Sequence, residues 1–173
     1  TVEVNRDGKS FIQEYERGKP MYPVKQNGKS ELTGTTVTFL PDPTIFKVTE
    51  YKYDTIEARL KELSFLNKGI SLSLTDRREK DENGNHPKEV FLSKGGLKEF
   101  VQYLDNTRTP LIPEPIVVEG ARDQVMVEIA LQYNTAYNEN VHSYVNNINT
   151  LEGGTHVSGF RRAITRVFKA YAE

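Results

Sequence analysis

The chain has no cysteine, which excludes disulfides and thiolate metal sites and fits a cytoplasmic protein. No apolar run approaches the roughly 20 residues that span a bilayer, and no leader precedes the first strand pattern, so neither membrane insertion nor export is expected. Net charge is also missing. The 23 Lys and Arg nearly cancel the 24 Asp and Glu, which removes the global signature of a nucleic-acid binder, so any DNA contact must come from a local basic patch. There is no internal repeat, no low-complexity tract and no initiating methionine. The chain opens in a strand pattern and closes inside a helical one, which predicts an excised piece of a longer protein. At 173 residues it has room for one domain, or two small ones with modest cores.

What is present reads as mixed α and β. Arg6-Asp7-Gly8-Lys9 is an Asp-Gly hairpin turn between alternating strands. Residues 17–32, rich in Gly, Pro, Lys and Asn, read as loop with one short strand at most. The β-branched run Gly34–Leu40 predicts a buried strand, stopped by Pro41-Asp42-Pro43. Residues 55–67 place Ile56, Leu60, Leu63 and Phe65-Leu66 on one helical face, with Gly69 where a C-terminal cap is expected. Ile70–Thr75 alternates as a strand, 76–88 is a charged hairpin loop, and Val90–Leu92 returns. After Gly95-Gly96 a second helix turns Leu97, Phe100, Val101 and Leu104 inward. Pro110, Pro113 and Pro115 mark a linker, followed by an antiparallel pair over 116–119 and 125–133. Asn140–Asn147 is a further strand candidate, and a terminal helix begins near His156. The natural boundary lies between Gly95 and Pro110.

Few segments carry chemistry by their own residues. Thr33-Gly34-Thr35-Thr36 is either a glycine easing entry to a strand or a hydroxyl placed at a nucleotide base edge. Gly95-Gly96 lacks the lysine and hydroxyl of a phosphate loop and reads as a turn. His142 and His156, with Glu139 and Glu152 nearby, match no zinc spacing, so no metal or catalytic residue is assigned. The terminal helix has an apolar stripe of Phe160, Ile164, Val167, Phe168 and Tyr171. Arg162, Arg166 and Lys169 fall on an adjoining face, with Arg161 expected to point elsewhere. Such a face is either merely solvated or a contact for phosphates, whose affinity would be salt-dependent and blind to sequence.

Four long motifs stand in order: TGTTVTFLPDPTIF from Thr33, RLKELSFLNKG from Arg59, ALQYN with ENVHSYVNNINT from Ala130 and Glu139, and EGGTHVSGFRRAITR from Glu152. Together they resemble the B subunits of bacterial type IIA topoisomerases, DNA gyrase and topoisomerase IV, over nearly the whole chain, with NNINTLEGGTHVSGFRRAITR leaning to gyrase. The resemblance implies an α+β protein of two-layer sandwiches. Residues 1–96 would be the C-terminal part of a Bergerat-type (GHKL) ATPase domain, and 97–173 the start of a transducer domain like domain 2 of ribosomal protein S5. It places Thr35 at the adenine of ATP and Arg161, from the GFR motif, at a DNA-facing cavity; Arg162 is added on charge alone. For the whole protein it implies ATP and Mg2+, DNA, a gyrase A partner in an A2B2 assembly, and dimerisation of B subunits on ATP binding. The family's glutamate base, magnesium-binding asparagine, adenine-reading aspartate, glycine-rich lid and transducer lysine have no counterpart here. The chain alone is therefore expected to be inert and to bind nucleotide feebly. Two alternatives are a topoisomerase IV piece and a non-enzymatic nucleic-acid-binding module of the S5 type; the neutral charge and lack of an exposed aromatic platform speak against the latter.

Overall fold

The computed structural model describes residues 1–173. They form two compact units, Thr1–Tyr51 and Lys52–Glu173, and the boundary expected at 96/97 lies inside the second.

The first unit is built from β1 (Val2–Arg6), β2 (Lys9–Gln13), β3 (Tyr15–Glu16), β4 (Lys19–Pro20), β5 (Lys25–Lys29) and β6 (Gly34–Val37). Its sheet has the order β5-β2-β1-β6, all antiparallel. The Asp-Gly turn forms as expected: Asp7 and Gly8 both take left-handed φ, 53° and 77°, which a two-residue hairpin loop of the primed kind requires. Residues 17–32 hold more strand than their composition suggests, because Arg17-Gly18 turns the same way and β5 adds to the sheet edge. The expectation of a buried strand at 34–40 fails. β6 spans only four residues and all are exposed. It is an edge strand paired on one side to β1, and the unit has no helix to cover either face. Beyond it, the Asp42 carboxylate accepts from the Thr44 amide (2.8 Å), the Thr44 hydroxyl (2.6 Å) and Arg17 Nε (2.6 Å). The Thr44 bonds above all, with help from Arg17, draw the Asp42 carboxyl below its ordinary pKa.

The second unit runs α1 (Tyr53–Leu66), β7 (Ser71–Thr75), β8 (Lys88–Leu92), α2 (Leu97–Leu104), β9 (Ile116–Arg122), β10 (Val125–Leu131), β11 (Tyr144–Val145), β12 (Ile148–Asn149) and α3 (Thr155–Ala172). The β7–β8 pairing, its charged loop and the helix after Gly96 match the pattern read from the sequence. Asn140–Asn147 does not form one strand. Asn146 and Asn147 adopt φ of 49° and 66°, which reverses the chain and leaves two-residue strands on either side.

The core is slim. Phe91 and Phe100 are its buried apolar residues. Phe100 stacks on Phe65 with ring centroids 5.1 Å apart, and Phe65 stacks on Tyr103 at 5.6 Å. The rings of His142 and Tyr144 tilt against Phe100 from the other end of the unit. This explains why helix α1 sits where it does: its apolar face meets α2 and the β7–β8 pair.

A polar network supplements that contact. The Glu62 carboxylate pairs with Arg59 and accepts from the Tyr144 hydroxyl at 2.5 Å. Arg59 also donates to the Asn147 carbonyl (2.8 Å), and the Asn147 amide donates to Asn67 Oδ1 (2.9 Å). Burial, reinforced by Glu62, pushes the Tyr144 phenol far above its ordinary pKa, so it remains a donor. The helix RLKELSFLN thus has the structural role read from its pattern, and also anchors the β11–β12 turn.

Candidate nucleic-acid interface

Helix α3 begins where Gly153 and Gly154 end the polar turn. The His156 ring nitrogen Nε2 lies 3.0 Å from the Thr150 hydroxyl, placing His156 in a polar helix start as expected. His142 packs on Phe100 instead. No three His, Asp or Glu side chains converge in a way that would hold a metal ion.

Val157, Phe160 and Ile164 are half-buried, whereas Val167, Phe168 and Tyr171 remain exposed. On the other side of the helix Arg161, Arg162, Thr165, Arg166 and Lys169 line an open groove of about 580 Å³ that reaches Glu173. This corrects the expectation that Arg161 points away. At about 100° per residue, Arg161, Lys169, Arg162 and Arg166 fall at roughly 0°, 80°, 100° and 140° around the helix, so one arc holds all four cations. Within it they differ in one respect. The Arg161 guanidinium donates to both oxygens of Glu139, at 2.7 and 3.1 Å, while Arg162, Arg166 and Lys169 stand apart from the ion pairs of the chain. Glu139 lies 22 residues before Arg161 in an irregular segment, where no periodicity links the two; the sequence pointed to this glutamate only as a neighbour of histidines.

Thr35 belongs to the first unit. It sits on β6 opposite Val4 of β1 and is exposed. Arg161 and Arg162 are brought together; Thr35 is not part of their groove. The Gly95-Gly96 turn does not fit a phosphate. Gly96 takes φ of 60° as the residue before α2, and the Glu99 carboxylate folds back onto the turn. It accepts from the Gly95 amide (2.9 Å) and from the Ser93 hydroxyl (2.6 Å), while Ser93 Oγ accepts from the Gly96 amide (2.8 Å). These bonds place a carboxylate against the turn and engage the Gly95 and Gly96 amides, two donors that a phosphate loop would keep for its anion.

A model of the family described as DNA gyrase B matches residues 96–173. The DNA gyrase B protein of Eisenibacter elegans is 61% identical over 170 residues, covering 98% of this chain. Over nearly its whole length the chain is similar to DNA gyrase B proteins. The gyrase B of Clostridium acetobutylicum is 51% identical over 99% of the chain. The chain spans 36% of the length of the first of these relatives and 26% of the second. Among solved structures, the 43K ATPase domain of Thermus thermophilus gyrase B, in complex with an aminocoumarin, matches with a TM-score of 0.84 at 35% identity. That match covers 99% of this chain and 46% of that one. The gyrase B protein from Myxococcus xanthus matches with a TM-score of 0.79 at 26% identity, over 94% of this chain and 46% of that one. The α+β architecture expected from the motifs is thereby borne out.

Proposed function

We propose that this chain is the segment of a gyrase B protein that joins the end of its GHKL ATPase domain (1–96) to the start of its transducer domain (97–173), and that α3 presents its groove to duplex DNA. The observation that carries this reading is the arc of four cations, Arg161, Arg162, Arg166 and Lys169, along one groove. Phosphates attract such a row without regard to sequence, which suits a surface past which any duplex must move. The whole protein would couple ATP binding and hydrolysis, with Mg2+, to strand passage and negative supercoiling in the cytoplasm. It would act with gyrase A in an A2B2 assembly, its two B chains dimerising on ATP. The names of the relatives favour gyrase over topoisomerase IV and over a free-standing S5-type binding module.

These residues alone do not build an ATPase. Thr35 would contribute one hydroxyl to the wall of the nucleotide pocket, as donor or acceptor at the base edge or a bridging water. In the whole gyrase B protein, Thr35→Ala should weaken binding of a non-hydrolysable ATP analogue in calorimetry by roughly fivefold to tenfold, the worth of about one hydrogen bond. Unchanged affinity would remove Thr35 from the pocket. The function itself is tested by Arg161→Ala in the whole protein reconstituted with its A partner. DNA-stimulated hydrolysis and supercoiling should fall while DNA-independent hydrolysis persists. Equal loss of all three would indicate misfolding and refute the DNA-facing role.

A further inference from the structure

Of the four cations along the α3 groove, the one already engaged is Arg161. Its guanidinium makes a two-pronged contact with the two oxygens of Glu139, the geometry in which arginine also grips two oxygens of a phosphate. A carboxylate therefore occupies the contact a nucleic-acid phosphate would make. The pair is open to solvent, with the arginine and glutamate side chains 51% and 66% exposed, so it is worth little and is easily exchanged.

We propose that Glu139 is an internal competitor for DNA phosphate. It keeps Arg161 occupied until a duplex settles in the groove and displaces it, making Arg161 a conditional contact while Arg162, Arg166 and Lys169 are constitutive. This rests on the DNA-facing reading of α3 and adds a residue that sets the strength of the contact. The physical advantage is a shallow affinity. A surface past which a duplex must slide and leave gains from each phosphate contact being made against a rival of similar charge, because the exchange then nearly balances.

The test is fluorescence anisotropy of the 173-residue chain with a labelled random-sequence duplex of roughly 20 base pairs, from about 50 to 200 mM KCl. It compares the unaltered chain, Glu139→Gln, Arg161→Gln and the double variant. Glu139→Gln should tighten binding about twofold to fivefold at the lowest salt and steepen the salt dependence by about one released counterion. Arg161→Gln should abolish that gain, so that the double variant binds like Arg161→Gln alone. A gain that survives in the Arg161→Gln background would mean that Glu139 acts by diffuse charge, and the proposal falls. Weaker binding by Glu139→Gln would make Glu139 an organiser of Arg161 and also overturns it. Absence of binding by every variant would instead remove the DNA-facing reading of α3, and the competitor with it. Both residues are exposed, so matching thermal midpoints will exclude a folding effect.

Discussion

Phe100→Ala should destabilise the second unit by about 3–5 kcal/mol, the usual cost of emptying a buried phenylalanine site. The figure falls at the upper end here because the site cannot easily collapse. Phe100 stacks on Phe65 of α1 and meets the tilted rings of His142 and Tyr144. Tyr144 is held by its hydrogen bond to Glu62, while the Asn67–Asn147 bond ties the end of α1 to the β11–β12 turn. Phe100 is also one of two buried apolar residues in the chain. Small domains have total stabilities of about 5–15 kcal/mol, so this one truncation removes a large share. In urea, with a slope of about 1–3 kcal/mol per molar, the far-ultraviolet midpoint should drop by at least about 1 M. Phe100→Leu, which keeps most of the volume, should lose less than half as much. A shift below roughly 0.3 M for the alanine variant would show that the aromatic stack does not hold the unit together.

Removing the three unpaired cations of α3 together, as Arg162→Gln, Arg166→Gln and Lys169→Gln, should weaken duplex binding on the order of 100-fold at low salt. It should also flatten the salt dependence by nearly three counterions, since each phosphate contact contributes about 0.9 to the slope. The comparison that gives this meaning is a triple variant with the same loss of charge in the first unit, Lys9→Gln, Lys19→Gln and Lys25→Gln. These side chains are exposed and lie outside the groove. If both triples lose affinity alike, net charge alone drives binding and α3 has no special part in it.

The sequence carried much of the fold where local rules decide. The β7–β8 hairpin announced itself by alternation, α2 by its apolar spacing after two glycines, and the first hairpin by Asp7-Gly8. It failed where the outcome depends on what packs over an element. Thr35, Thr36 and Val37 have the composition of a buried strand, yet β6 is an uncovered edge. It failed again where residues less suited than glycine take left-handed φ, as Asn146 and Asn147 do, because asparagine signals a turn less firmly. The family motifs pointed to Thr35 and Arg161, and charge alone pointed to Arg162. Helical geometry alone places Arg161 with the other cations, about 80° around the helix from Lys169. Glu139 was out of reach of pattern reading, since a partner supplied by an irregular segment leaves no period in the sequence.

The four two-residue turns, at Asp7-Gly8, Arg17-Gly18, Asp123-Gln124 and Asn146-Asn147, also order events in time. Hairpins closed by such turns form in about 1–10 µs because little chain entropy is lost in bringing their strands together. The contacts of α1 with the β11–β12 turn join residues 80 and 88 positions apart, and closing so long a loop costs more chain entropy than closing a hairpin. Refolding of the second unit should therefore run from ready-made ribbons to a late docking step. The slowest phase belongs to the meeting of Asn67 and Arg59 with Asn147, rather than to the making of any strand.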